Sequence, residues 1–494
     1  MACTKLIRLT FHKLISARKF HSSTERSSNW RNLMKKELEN GNIGVAKESD
    51  DVCIYKVPSN MHQVEPKAYT PNNISIGPYH HGSQQVQKME PLKRKFYRRL
   101  FDPKGQNGDK LDEAFEFLEE QEVNVRRCYM DKDSIELSND EFLQMMLIDG
   151  SFIVQLLRDL SQSEFGQVPY ISRWMLQIIR RELIMLENQL PLFVLTKLFE
   201  LTSASSSSSP CTSLKALALR FFYPLLQVDS DNFPECERAD EFRGVHFLDL
   251  LRSSIRPKLE GENARRAQHH MIRSITELTE AGVKIKADET KQLLDISFGK
   301  KYGVLTRELT IPPLNINDHK GTVFRNIVAF EKCHKTCNPD VTTYLFFFNG
   351  LINSANDVAL LHYKGVLHHS LGNDNTVAEL INNITKEMVR DKDESYLHKV
   401  VNDANLYFAS FYARKRASLV HHYLTSWVVG ISTIGALLAL YFTFIQTVCG
   451  FAGALPAFKT HHFRSLFFDA FCLPLLHTPT SDTRDQNSQA EATN

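Results

Sequence analysis

The feature that most constrains this chain is a long uncharged stretch near its carboxyl end. Residues Trp427 to Cys449 read WVVGISTIGALLALYFTFIQTVC, about 23 residues without a charged side chain. At about 1.5 Å per residue this helix reaches roughly 35 Å, which is enough to cross a hydrocarbon core of about 30 Å. Core helices of soluble proteins seldom run this long without a charge. The sequence therefore predicts one transmembrane helix over 427–449, with the lipid bilayer as its partner.

The charges that flank this helix predict its orientation. Arg414, Lys415 and Arg416 precede it, whereas Lys459 and Arg464 follow it, a margin of one charge. Basic residues interrupt the first twenty positions, so a cleaved signal peptide is not expected. The body is therefore predicted to be cytosolic in a single-pass protein of the plasma membrane or endomembranes.

Residues 1–50 are predicted to form a basic, flexible leader. No acidic residue occurs before Glu25, and Ser22 and Ser23 follow the basic positions. This composition is typical of an organellar transit peptide, so organellar localisation stays open as the alternative.

The dominant period between the leader and the membrane helix is helical. In Leu176 to Leu201 the apolar positions follow a 3.6-residue period, and Pro191 is expected to divide that helix. Strand signals occur only in Leu293 to Ile316. The predicted class is mainly α: a helical body over 51–424 with a small β hairpin, a flexible Ser-rich loop at 203–213, one carboxy-terminal transmembrane helix, and a tail at 450–494 that is partly apolar and then disordered. Further helical periodicity is found in 111–129, 139–160, 214–226, 241–255, 377–389 and 396–423.

Charge and cysteine content exclude two classes of protein. The chain has 59 basic and 57 acidic residues, and therefore lacks the cationic excess typical of nucleic-acid binding. Its nine cysteines are odd in number and scattered, which does not fit a secreted disulfide framework. We expect no nucleic-acid partner and reduced thiols.

The motif ISIGPYHHG, Ile74 to Gly82, raises the question of a metal or catalytic site. Gly77 and Pro78 together favour a defined turn, because glycine permits positive φ and proline holds φ near −65°. Adjacent side chains such as His80 and His81 can share a metal ion only in an irregular loop, and no third ligand stands at a suitable spacing. The motif, with Gly82 at its end, is predicted to be structural.

No other motif supplies catalytic or cofactor-binding residues. Cys333 and Cys337 in CHKTC would share a face of a helix, and are predicted to pack or cap it before a helix-ending Pro339 rather than bind zinc. The sequence has no phosphate-binding glycine loop, dinucleotide turn, GxSxG or HExxH. Neither a cofactor nor a metal is expected, and catalytic residues stay unassigned.

The motif ENQLP, Glu187 to Pro191, is predicted to be part of the core rather than an active site. The neighbouring Leu190 belongs to an apolar face. Asn188 and Gln189 can bond the backbone groups that the proline leaves without helical partners.

Several blocks in order resemble a plant family catalogued as domain of unknown function 247 and as uncharacterised protein family 0481. The resemblance implies a mainly helical protein with one carboxy-terminal transmembrane segment and an unknown biochemical activity. Members in grasses are linked to pollen and stigma self-incompatibility, which implies a recognition role within the family. The leader before Asn29 and the tail from Gly450 are not expected of it. The blocks are CIYKVPSNMHQVEPKAYTPNNISIGPYHHG, MEPLKRKF, MLIDGSFIVQLL, RELIMLENQLPLFVLTKLF, FRNIVAFEKC, LINSANDVALLHYKGVLHHSLG and the apolar segment that ends FIQTV.

Two functional hypotheses remain at this point. One is a membrane-anchored module that binds other proteins in recognition or signalling. The other is a membrane-tethered, hydrolase-like enzyme whose site forms only in three dimensions. A cavity in which His80 or His81 meets an acid and a nucleophile would favour the enzyme, whereas a filled interior with a broad exposed apolar patch would favour the binding module.

Overall fold

A computed structural model of the chain describes residues 51–102, 110–163, 167–203, 213–226, 236–257, 270–300, 307–386, 388, 395–423 and 427–454. The basic leader, most of the Ser-rich loop, and the tail after residue 454 with Lys459 and Arg464 lie outside the described residues. The chain divides between Ala409 and Ser410 into two compact units.

The prediction of a mainly helical protein is confirmed. The described residues of the first unit form fourteen α-helices and five short strands. The helices are α1 (Ser59–Val64), α2 (Glu90–Leu100), α3 (Lys110–Arg127), α4 (Asn139–Gln162), α5 (Arg173–Glu182), α6 (Leu192–Leu201), α7 (Leu214–Phe222), α8 (Phe247–Ser254), α9 (Ile275–Glu280), α10 (Asp318–Cys333), α11 (Asp340–Leu351), α12 (Ala355–Tyr363), α13 (Asp374–Lys386) and α14 (His398–Ala409).

The centre of the first unit is α4. It begins with a capping box, in which the Ser138 hydroxyl accepts from the Glu141 amide and the Glu141 carboxylate accepts from the Ser138 amide. Its middle is buried on nearly every side, because α2, α3, α6 and α7 all pack against it. Gly150 lets α6 approach closely: a Cβ there would lie 2.5 Å from Leu198 Cδ1.

Two small sheets complete the first unit. The strands are β1 (Val283–Ala287), β2 (Ser297–Lys300), β3 (Arg307–Ile311), β4 (Leu314–Ile316) and β5 (Leu367–His369). The pairing of β2 with β3 is antiparallel and confirms the predicted hairpin. The sequence did not predict the two parallel pairings, β1 with β3 and β4 with β5. Strand β5 is only three residues long and pairs with a partner about fifty residues earlier, so local alternation could not reveal it.

The second unit contains α15 (Phe411–Tyr423) and α16 (Trp427–Ala454) among its described residues. Residues 396–423 were predicted as one periodic stretch, but the structure has two helices that separate at Ser410. Helix α16 has 28 residues, and its segment Ile431–Val448 is long and apolar enough to cross a membrane. None of that segment is buried.

Candidate functional site

The ENQLP motif lies in the connection between α5 and α6, next to the segment that contains Gly77 and His80. Helix α5 ends at Glu182, and α6 begins at Leu192 directly after Pro191. Asn188 Nδ2 donates to the Glu182 carbonyl oxygen at 2.9 Å. Gln189 Nε2 donates to the carbonyl oxygens of Leu183 and Met185 at 2.7 and 2.9 Å. These side-chain amides donate to carbonyl oxygens that helical N–H groups would otherwise reach, because the helix ends before the proline.

Asn188 also joins this connection to the ISIGPYHHG segment. Its Oδ1 accepts the Ile76 amide at 2.6 Å, and its Nδ2 donates to the Ile74 carbonyl oxygen at 3.1 Å. One side-chain amide thus bonds a donor and an acceptor of a chain segment more than a hundred residues earlier. We call this contact region, formed by residues 72–82 and 182–191, the junction.

At Gly77 the two segments of the junction pack too closely to admit a side chain. The φ of Gly77 is 75°, and a Cβ at this position would lie 2.8 Å from the Gln189 carbonyl oxygen and 3.1 Å from the Tyr129 hydroxyl. Its amide donates to Asp149 Oδ2 at 3.0 Å. Only glycine combines this backbone conformation with this lack of space.

His80 and Glu187 form a partly buried pair at the edge of the junction. His80 Nε2 lies 2.9 Å from Glu187 Oε2, and Glu187 Oε1 accepts the Val57 amide at 2.8 Å. His81 is exposed and does not join this pair, and Gly82 has a φ of 77°. In the part of the chain that the structure describes, His80 bonds no hydroxyl or thiol that could act as a nucleophile. An acid and a histidine therefore meet, but a triad does not form there.

Two buried acids strengthen the junction, and sequence reasoning missed both as site residues. The Glu182 carboxylate accepts the amides of Asn72, Asn73 and Ile74 at 3.2, 3.0 and 2.8 Å, and Asn73 Nδ2 at 2.8 Å. The side chain of Glu182 is completely buried. The four hydrogen bonds to this one carboxylate are charge-assisted and therefore strong.

The second acid is Asp149, which pairs with Lys93 from α2. Lys93 Nζ lies 2.8 Å from Asp149 Oδ1, and both side chains are fully buried. Burial lowers the pKa of Lys93, but the charges of Asp149 and Glu90 more than offset it, so the net shift of its pKa is upward and the ammonium stays protonated. The available signal was a charge within an otherwise apolar stretch: Asp149 in MLIDGSF and Glu182 in RELIML.

A second buried polar cluster surrounds His246, which caps α8. His246 Nδ1 lies 3.2 Å from the Asp249 amide nitrogen and Nε2 lies 3.1 Å from the Cys53 carbonyl oxygen. The two contacts together assign a neutral ring, with the proton on Nε2. Burial lowers the pKa of His246 to about 4. The carboxylate of Glu331 lies at the start of α11, where it accepts the amides of Val341 and Thr342, and burial raises its pKa to about 7.

The CHKTC segment packs its two cysteines against the core, as predicted, but it does not form one helix. Helix α10 ends at Cys333 and α11 begins at Asp340, so Cys333 and Cys337 do not share a helical face. Pro339 precedes the start of a helix instead of ending one, because a helix accepts proline at its amino-terminal boundary. Within the described ranges no three His, Cys, Asp or Glu side chains group as metal ligands, and Cys53, Cys128 and Cys337 are free thiols.

The fold and the junction define a class: mainly helical proteins in which an early loop is bonded to a proline-divided helix pair, followed by a carboxy-terminal apolar helix. The model of a plant protein family of unknown function, DUF247, matches residues 54–442, and this chain belongs to that family. The expected resemblance is confirmed.

Two relatives in Arabidopsis thaliana cover most of the chain. A UPF0481 protein is 28% identical over 432 residues, which is 81% of this chain and 86% of the relative. A putative UPF0481 protein is 26% identical over 490 residues, which is 81% of this chain and 90% of the relative. No solved structure matches the chain.

Proposed function

We propose that this protein is a membrane-anchored module that binds other proteins through its helical body. The observation that supports the membrane anchor is the exposed apolar surface of α16. Ile431, Leu437 and Phe444 are 62%, 61% and 68% exposed in a segment without charges. At about 25 cal/mol per Å² of apolar surface, such a helix is far more stable in lipid than in water.

The polar groups of the junction support a binding module over an enzyme. The side chains of Glu182, Asn188 and Asp149 are hydrogen-bonded to backbone groups, and that of Asp149 also to Lys93. Groups engaged in this way hold a loop in place and are not free to transfer protons. The hydrolase-like alternative would need a nucleophile beside His80.

A surface turn on the body has the character of a contact site. Val168 to Ile171 form a turn closed by the Ile171 amide and the Val168 carbonyl oxygen at 3.2 Å, with Pro169 in second position and Tyr170 in third. Tyr170 has a φ of 67° and is 66% exposed, and Trp174 nearby is 64% exposed. The third position of such a turn favours glycine or asparagine, so a tyrosine there is strained and presents its ring to solvent. Exposed Tyr and Trp are the residues that most often dominate binding interfaces.

Orientation is tested with an epitope tag at each end of the full chain in sealed microsomes. Because Arg414, Lys415 and Arg416 precede α16, we expect protease to digest the amino-terminal tag and spare the carboxy-terminal one. Asn383 gives an internal check, since its Asn-Ile-Thr sequence matches a glycosylation site and its side chain is exposed. It should remain unmodified, and an endoglycosidase-sensitive shift would place the body in the lumen instead.

Partner binding is tested by proximity labelling in plant cells. The double variant Tyr170→Ala, Trp174→Ala should lose specific labelled proteins that the unaltered chain retains. Tyr363→Ala is the matched control, because Tyr363 is 81% exposed on a different helix. If the double variant and the control label the same proteins as the unaltered chain, this turn is not the contact site.

A further inference from the structure

A cleft of about 230 Å³ lies on the first unit, and neither His80 nor Glu187 lines it. Its walls come from the loop that contains Glu65 and Lys67, the end of α5, the first turns of α10 and the start of α13. Three cationic side chains line it, Lys67, Arg181 and Arg325, against one acidic side chain, Glu65. Segments far apart in the sequence therefore place an excess of positive charge in one small space.

Arg325 is the central feature of the cleft. Arg325 is 7% exposed, and among the described residues it has no hydrogen bond or close ion pair, although the charge of Glu65 acts on it from across the cleft. Burial lowers its pKa from the ordinary value. The charge of Glu65 partly offsets this burial, but no hydrogen bond to a described residue satisfies the guanidinium, so an anion in the cleft would stabilise it further. Gly321 makes room for it: a Cβ there would lie 3.3 Å from Arg325 Nη1 and 3.2 Å from Leu380 Cδ1.

Arg181 brings a second guanidinium with free donor capacity. Its Nε is buried and has no hydrogen-bond partner among the described residues. The acid beside it, Glu182, lies 3.8 Å away at Oε1 and already accepts the donors of the junction. Lys67 is exposed at the rim, and the side chains of Thr322 and Thr376 also line the cleft. Two guanidinium groups, an ammonium and hydroxyl groups form the donor set that suits a phosphate group.

We propose that this cleft binds the phosphate group of a small phosphate monoester. Its volume lies below the roughly 300–1,000 Å³ of pockets for drug-sized ligands, which favours a phosphate with a small organic part over a nucleotide. This site is independent of the proposed anchoring and protein binding, and it would be a ligand site on the same body.

The test is a titration of the full chain in phosphatidylcholine nanodiscs with inorganic phosphate and with phosphoserine, followed by calorimetry. Saturable binding is expected in the unaltered protein. Arg325→Gln should weaken it at least tenfold, and Lys67→Gln several-fold. Arg98→Gln removes the same charge from an exposed position outside the cleft, and should leave the affinity unchanged.

Glu65→Gln provides an outcome that misfolding cannot imitate. Because it removes the one carboxylate that lines the cleft, phosphate should bind several-fold more tightly than to the unaltered chain. If the buried Arg325→Gln variant does not fold, the phosphate affinities of Glu65→Gln and Lys67→Gln still test the proposal. Absence of saturable binding, or unchanged affinity in both Lys67→Gln and Glu65→Gln, overturns the proposal.

The source of the phosphate is distinguished by repeating the titration in nanodiscs that contain phosphatidic acid. If lipid phosphate enters the cleft, free phosphate should bind more weakly in these discs to the unaltered chain, while the residual binding of Lys67→Gln changes less. Equal affinity in both kinds of disc identifies a soluble phosphate monoester as the ligand.

Discussion

At the scale of single residues, the junction depends on groups that tolerate little change. Gly77 and Gly82 make this clear, because they share a positive φ but differ in their surroundings. Gly77 faces the Gln189 carbonyl oxygen and the Tyr129 hydroxyl, whereas a Cβ on Gly82 would have no heavy atom within 4 Å. Alanine substitutions at the two positions therefore distinguish the cost of backbone strain from the cost of steric overlap.

We expect Gly77→Ala to cost clearly more stability than Gly82→Ala. Both changes place an alanine in left-handed backbone, at about 1–2 kcal/mol, and Gly77→Ala adds an overlap worth about 1–3 kcal/mol. The free energy of unfolding in urea, measured on the full chain in mild detergent, gives both values. Equal losses would mean that the junction can open around a methyl group.

The Glu182 carboxylate allows a test of the charge-assisted bonds. Glu182→Gln keeps the shape but replaces one oxygen with an amide that faces the donors of Asn72, Asn73 and Ile74. The expected loss is about 2–4 kcal/mol, since bonds to charged groups are worth about 1.5–3 kcal/mol and a buried donor is left unpaired. Glu200→Gln, at an exposed position on α6, is the control and should change stability by less than about 0.5 kcal/mol. A similar small change at both positions would show that the loop does not depend on the charge.

At the scale of elements, the connection between α5 and α6 links the packing of several parts of the first unit. Pro191 directly precedes the start of α6, and Leu190 packs beside the positions of both Gly77 and Gly150. It thus touches the early loop and the central helix α4 together. Helix packing and loop placement are coupled through this one side chain.

Leu190→Ala should lower the free energy of unfolding by about 2–5 kcal/mol, because Leu190 is 2% exposed and its truncation leaves a cavity. Leu406→Ala is the matched control on α14, where the side chain is 62% exposed. Thermal unfolding followed by circular dichroism compares the two. An unchanged melting temperature for Leu190→Ala would contradict its role in the core.

At the scale of the whole molecule, stability depends on pH through buried groups that oppose each other. The pKa of His246 falls from 6.5 to about 4, so the unfolded chain binds more protons at this site between those values. Stability from the neutral ring is complete above pH 6.5 and is lost as the pH falls towards 4. The pKa of Glu331 rises from 4.5 to about 7, so over the same range the folded chain binds more protons there and gains stability as the pH falls.

His246→Asn separates these opposing effects. Between pH 7 and pH 4 the unaltered chain should lose about 3 kcal/mol relative to this variant, because only the variant lacks the titrating ring. Urea unfolding across that range measures the difference in slope. His81→Asn, at an exposed histidine, should follow the unaltered chain, and a slope that His246→Asn does not alter would contradict a buried neutral ring.

Several properties could be read from the sequence because their causes are local. The length and lack of charge of Trp427 to Cys449, the helical period of the body, the division at Pro191 and the hairpin before Ile316 all depend on residues within a turn or two of each other. Among the described helices six were missed. Two of them, α1 and α9, have only six residues, and α10 and α11 are buried on most sides and lack a clear polar face.

Only the tertiary structure decided which distant groups meet. Asn188 bonds Ile76, Glu182 bonds Asn73, and β4 pairs with β5 across gaps of about fifty residues or more. Local pattern carries no information about such partners, because each contact exists only once the core has packed and placed both backbones. The cleft around Arg325 has the same origin: its cations come from three separate segments, and packing alone brings them together.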